Sequence, residues 1–158
     1  MGNSLRLLSD GEENILWDKI YKEHKFMPDV ACNGDWIKFS GVHKMYKRDI
    51  PWEPEQESVI NSFFEKLIEG EIYALDWQHD CFMFSPKEHI PFEYEYFDAE
   101  RECQVYFPTY YSNGDYYFFF DSEWKYGLFG HPWRGEFVVI GQELIDMFES
   151  NKQYLGII

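Results

Sequence analysis

Residues 106–141 read YFPTYYSNGDYYFFFDSEWKYGLFGHPWRGEFVVIG. Three breaks divide this stretch. Ser112-Asn113-Gly114-Asp115 joins residues that tolerate left-handed backbone to short side chains that bond it, a strong turn signal. Asp121-Ser122-Glu123 is the second break, and His131-Pro132-Trp133-Arg134-Gly135 the third. Between them lie DYYFFF, WKYGLFG and EFVVI, short runs of aromatic and β-branched residues that favour strands. Strands joined by loops this short must pair antiparallel.

The same grammar extends upstream. EIYALDW (71–77) and CFMFS (81–85) are apolar runs split by the polar Gln78-His79-Asp80, which predicts a hairpin. PFEYEYF (91–97) alternates rings with carboxylates. Phe92, Tyr94 and Tyr96 fall on one side and Glu93 and Glu95 on the other, the mark of a strand with one wet face. CQVYFP (103–108) is a further strand. DWIKFSG (35–41) also reads as a short strand, and HKMYKRDIPW (43–52) as a basic, solvated loop carrying Lys44, Lys47 and Arg48.

Helices flank this run. Ser9 and Glu12 form a capping-box pattern ahead of Ile15, Leu16 and Ile20, and Pro28 sets the limit of that helix. In PEQESVINSFFEKLIEG (54–70), Val59, Ile60, Phe63, Phe64, Leu67 and Ile68 make one wide apolar stripe at helical period. Pro54 suits its first turn and Gly70 its stop. GQELIDMFESN (141–151) predicts a closing helix that buries Leu144, Ile145 and Phe148. With no repeat or linker, residues 1–158 read as a single α+β domain. The expectation is an antiparallel sheet of about five to seven strands, with two or three helices packed mainly on one face.

Composition narrows the function classes. The chain has 158 residues, a formal net charge of −15, and 21% aromatic residues. That charge repels phosphate backbones and anionic membrane surfaces, so nucleic-acid and membrane binding are not expected. A basic protein partner fits better. Cys32, Cys81 and Cys103 are an odd number at unpatterned spacing, which suits a reducing cytoplasm. No apolar run approaches membrane-spanning length.

The stretch from Pro108 onward resembles the C-terminal signature of an uncharacterised bacterial family of unknown function. Pro108, Tyr110, Tyr111, Gly114, Asp115 and Tyr116 to Phe119 carry its first half. Tyr126, Gly127, Gly130, His131, Pro132, Trp133, Gly141, Glu143 and Leu144 carry the second, with Gln142 displacing the Glu by one place. The resemblance implies a bacterial origin and a shared fold, and no catalytic residue. Its general look is that of immunity proteins, acidic aromatic α+β domains that neutralise toxins, which is an analogy of appearance.

Chemistry-bearing motifs are sparse. The sequence has no nucleophile elbow, phosphate loop, zincin motif or dinucleotide fingerprint. His79 and Cys81, with Asp80 or Cys103, are the nearest approach to a metal set, but zinc spacing is lacking and buried thiols explain the cysteines better. Neither a metal nor another cofactor is expected. Close acid pairs are numerous, as the acidity alone predicts. His131, beside Arg134 in a Gly- and Pro-framed loop, could hold its turn or serve as a base in an aromatic pocket. The expected function is non-enzymatic: an acidic immunity protein that occludes a basic toxin, such as a nuclease. The contact candidates are Glu93, Glu95, Asp115, Asp121, Glu123, Tyr126 and Trp133. The alternative is a small-molecule binder or enzyme with its pocket around His131.

Overall fold

The computed structural model describes residues 4–28 and 35–157. In chain order they form β1 (Arg6–Leu7), α1 (Asp10–Glu23), β2 (His43–Lys47), α2 (Pro54–Leu67), β3 (Ile72–Asp76), β4 (Phe82–Phe84), β5 (Glu95–Asp98), β6 (Cys103–Tyr106), β7 (Tyr117–Asp121), β8 (Gly127–His131), β9 (Glu136–Ile140) and α3 (Gln142–Ser150). Seven strands make one sheet in the order β1-β4-β3-β7-β8-β9-β2, and β5 and β6 pair as a separate ribbon. Every pairing is antiparallel. The β7-β8-β9 meander expected from the three breaks is therefore the centre of the sheet.

Both faces of that sheet are covered. Successive strand residues point to opposite faces, so β7 sends Phe118 and Phe120 to one side and Phe119 to the other. Phe118 and Phe120 join Leu16 and Ile20 of α1, with Trp36 and Phe129. Phe119 joins Ile60, Phe63 and Phe64 of α2 and Leu144 and Phe148 of α3. All three β7 phenylalanines are fully buried. Each such ring contributes roughly 1.5–3 kcal/mol by leaving water. Two helices share one face as expected, while α1 covers the opposite face with the segment around Trp36.

The local signals for the helices hold. At α1, Ser9 Oγ accepts from the Glu12 N–H at 3.2 Å, and Glu12 Oε1 accepts from the Ser9 N–H at 2.9 Å. Leu16 and Ile20 are its buried residues, whereas Ile15 of the expected face is exposed. The helix ends at Glu23, ahead of Pro28, because Lys25 turns left-handed (φ 51°) and the Phe26 N–H returns to the Ile20 carbonyl at 3.3 Å. Along α2, Ile60, Phe63 and Phe64 are buried, with Val59 and Leu67 packed against the same cluster.

Two segments exchange roles relative to expectation. Residues 35–41 are irregular, and Trp36 and Ile37 are buried without strand pairing. The basic segment after them is a strand instead: β2 pairs along its length with β9, from His43↔Ile140 to Lys47↔Glu136. Tyr46 is its buried residue, stacked on Phe137 and Phe148. An edge strand with one buried ring and otherwise exposed, mostly basic residues has the composition of a loop. Of the three cysteines, Cys81 is buried, Cys103 is exposed, and both are free thiols; Cys32 lies outside the described residues.

Candidate functional site

The β5–β6 ribbon is where rings and carboxylates meet solvent. Its register pairs Glu95 with Tyr106, Tyr96 with Val105, and Phe97 with Gln104. One face is therefore Glu95, Phe97, Gln104 and Tyr106, and the other holds Tyr96 and Val105. The second face packs on the sheet. Tyr96 meets Phe82 edge-on at 5.6 Å, and Val105 is buried in the same cluster. The first face is open, with Phe97 55% and Tyr106 72% exposed. These two rings occupy diagonal positions, within reach of one another and of a common partner.

Ion pairs secure the far end of the ribbon. Asp98 caps the turn by accepting from the Glu100 N–H at 3.1 Å and also binds the Arg101 guanidinium. Arg101 reaches on to Asp80 at 2.6 Å. Its hydrogen bond holds the Asp98 carboxyl below the usual carboxylate range. At the near end, Glu93 lies in a turn with left-handed backbone (φ 58°). It therefore precedes the strand, although alternation places it inside one. Phe92 and Glu93 form part of the rim of a groove of about 290 Å³ between α2 and the segments 89–93 and 107–110 that flank the ribbon.

Glu57 lies at the floor of that groove. It is buried on α2, and its two carboxyl oxygens accept from the backbone N–H groups of Tyr110 at 2.7 Å and Tyr111 at 3.0 Å. Burial pushes its carboxyl up to about 7, against the pull of those two donors. Beside it, the Tyr110 hydroxyl donates to Asn61 at 2.6 Å, and Asn61 donates to the Pro86 carbonyl at 2.9 Å. These bonds tie the 108–112 loop to α2. Both oxygens of Glu57 are thus engaged in holding the fold.

The seven expected contact residues separate into three groups. Glu93 and Glu95 are exposed at the ribbon. Glu123 and Trp133 are also exposed, but they occupy consecutive turns of the meander, which an up-and-down sheet places at opposite ends. Asp115, Asp121 and Tyr126 are buried, which corrects their expected place at the surface. Asp121 accepts from the Lys125 and Tyr126 N–H groups at 2.8 and 2.9 Å and shapes the β7–β8 turn. Tyr126 donates its hydroxyl to Glu143 at 2.7 Å and so pins the first turn of α3. Asp115 accepts from the Tyr116 N–H at 2.7 Å at the start of β7. Turn aspartates bond their own backbone as a rule, so the signal for these roles was in the sequence.

His131 is likewise a structural residue. It is 2% exposed, and Nδ1 accepts from the Trp133 N–H at 3.2 Å. Nε2 is then the protonated nitrogen and faces the Tyr116 hydroxyl at 3.2 Å. Desolvation, with the Arg134 charge, brings the imidazole down to about 4, so it is neutral. The cavity beside it measures about 10 Å³, room for one water at most. The aromatic pocket around His131 thus has no space for a small molecule. Gly130 explains part of this closure: a Cβ there would lie 2.1 Å from Ser112 Oγ. Arg134 is half-buried and pairs with Glu136 at 3.5 Å.

Sequence reading missed Phe97 and Tyr106. The clue lay in the alternation itself, because Phe97 follows Glu95 on the polar side and interrupts it.

Among the described residues, no helix is long and apolar enough to cross a membrane. No solved structure matches the chain. The chain is 37% identical over 162 residues to "Uncharacterized protein YxiI" of Bacillus subtilis (strain 168), an alignment covering 95% of each protein. Residues 7–145 match the model of a family described as "Protein of unknown function (DUF2716)". That span runs from the second residue of β1 into α3 and takes in the other six strands of the main sheet, the ribbon and the Gly-His-Pro-Trp turn, so the chain belongs to the DUF2716 family.

Proposed function

We propose that this protein is a non-enzymatic binding module that docks a basic protein on the outer face of the β5–β6 ribbon. The observation that carries the reading is the pair of exposed rings, Phe97 and Tyr106, set among the exposed carboxylates Glu93, Glu95, Glu100 and Glu102. Rings on a rigid ribbon supply contact area at low entropic cost, and the carboxylates steer a cationic surface toward it. The net charge of −15 adds long-range attraction for the same class of partner. Occlusion of a basic toxin, a nuclease for example, is the most concrete form of the proposal. In that form the protein is an acidic immunity protein of the cytoplasm.

The experiment is capture of the partner from bacterial lysate, followed by titration of the purified pair against salt. The wild type is compared with Glu93→Lys/Glu95→Lys and with Phe97→Ala/Tyr106→Ala. Affinity should fall steeply with salt and by at least about tenfold in either variant. An affinity that ignores salt and survives both variants overturns the proposal.

A further inference from the structure

We propose that Asp76, His79 and Asp115 form a binding site for a divalent first-row transition-metal cation, with one imidazole nitrogen and two carboxylate oxygens as ligands. Asp76 and His79 lie three residues apart, and the fold brings the distant Asp115 to them. Asp76 ends β3 opposite Tyr117 of β7, which puts Asp115 just beyond the last paired position. The Trp77 N–H donates to the Tyr116 carbonyl at 3.1 Å and continues the ladder to that point. The following turn closes when the His79 N–H donates to the Asp76 carbonyl at 3.2 Å, and this turns the imidazole back over both acids.

The spacing suits a metal. His79 Nδ1 lies 3.0 Å from Asp76 Oδ1 and 3.4 Å from Asp115 Oδ2, and one ligand atom from each residue lies within 4.8 Å of the others. Two ligand atoms each about 2.1 Å from a metal are about 3.0 Å apart at a right angle and about 3.4 Å apart at a tetrahedral angle. Charge points the same way. Asp76 and Asp115 are buried side by side, and among the described salt bridges the imidazole of His79 is the one basic group that faces them, with no Lys or Arg paired to either acid. A buried acid pair calls for positive charge. The Tyr116 N–H holds Asp115 Oδ1, which leaves Oδ2 for the site, the kind of outer bond that orients a metal ligand.

The ligand set also limits the ion. One nitrogen and two oxygens suit zinc or manganese, whereas a soft copper(I) site would need sulfur. Cys81 does not complete the set, because its thiol is buried and turned to the Asp76 backbone carbonyl at 3.7 Å. His79 is 66% exposed at its side chain, so an ion has a path from solvent and the remaining coordination positions fall to water. The partners of His79 are therefore acids brought by two strands rather than its neighbours Asp80 and Cys81.

The test is calorimetric titration of EDTA-treated protein with zinc chloride and separately with manganese chloride. The variants are His79→Ala, Asp115→Asn and, as a control, His89→Ala. His89 is an exposed histidine that pairs with Glu65 at 3.1 Å elsewhere on the molecule. One equivalent should bind to the wild type and to His89→Ala, and at least about tenfold more weakly to His79→Ala. Manganese should broaden the amide resonances of residues 76–79 and 115–117 before any others. The exposed position of His79 keeps the result readable even if Asp115→Asn unfolds. Uptake that is equal in His79→Ala, uptake only at millimolar metal, or broadening centred elsewhere overturns the site.

Discussion

β7 and β5 are written in nearly the same letters and do opposite things. β7 is Tyr-Phe-Phe-Phe-Asp, and its three phenylalanines are buried on both faces of the central sheet. β5 is Glu-Tyr-Phe-Asp, and its phenylalanine faces solvent. The difference lies in what lies above and below each strand. β7 is flanked by β3 and β8 and covered by helices on both sides, whereas β5 has one partner strand and one packed face. Aromatic content alone therefore does not separate core from contact surface; neighbours do.

The contrast predicts a graded set of stability effects. The largest belongs to the sheet. Phe119→Ala should cost ~3–5 kcal/mol in urea unfolding, because it empties a site packed by α2 and α3. A loss below about 1 kcal/mol would break the distinction between the two strands.

Next is the tie between α2 and the 108–112 loop. The folded-state pKa of Glu57 is raised from 4.5 to about 7. The group's stabilising share is therefore complete below about pH 4.5 and is lost as pH rises through 7. The shift corresponds to about 3 kcal/mol. His131 works in the other direction: its pKa falls from 6.5 to about 4, so its share is complete above about pH 6.5 and is lost as pH falls toward 4. Unfolding curves of the wild type and Glu57→Gln should converge as pH rises from 4.5 to 8. His131→Asn should differ most from the wild type above pH 6.5. Curves that stay parallel across the range would remove both assignments.

A smaller effect belongs to the rim. Ser9→Ala should cost ~1 kcal/mol, since it removes one half of the reciprocal cap on α1. The smallest belongs to the ribbon. Phe97→Ala with Tyr106→Ala should change stability by less than about 0.5 kcal/mol, because neither ring packs on the core. A larger loss would mean that the ribbon's outer face holds the fold together rather than waiting for a partner.

Much of the architecture was legible because period and punctuation agreed. The α2 stripe, the cap at Ser9 and the three breaks between 106 and 141 each rest on local chemistry, and local chemistry decided them. What was hidden depended on distant residues. β2 reads as a solvated loop until β9 is laid beside it, and 35–41 reads as a strand although it is irregular chain whose Trp36 and Ile37 pack with the α1 face. The same holds for the candidate contacts. Asp115 and Asp121 look like surface acids because most acids are, and only the closed turns show them buried, each with one carboxyl oxygen bonded to backbone N–H groups. Phe97 was legible in principle, since it is the ring that falls in the carboxylate row.

One further consequence follows from where β2 sits. It forms one rim of the sheet, and the two-residue β1 forms the other. An open rim invites a second molecule to zip alongside, and lysines deter it. β2 carries Lys44 and Lys47, so this anionic protein keeps two of its scarce cations along its longer unpaired backbone. Copies meeting rim to rim confront like charge, while β1 offers too short a template to extend. The seven-stranded sheet thus presents a lysine-bearing strand at one margin and a two-residue strand at the other, both of which disfavour an eighth strand from a second molecule.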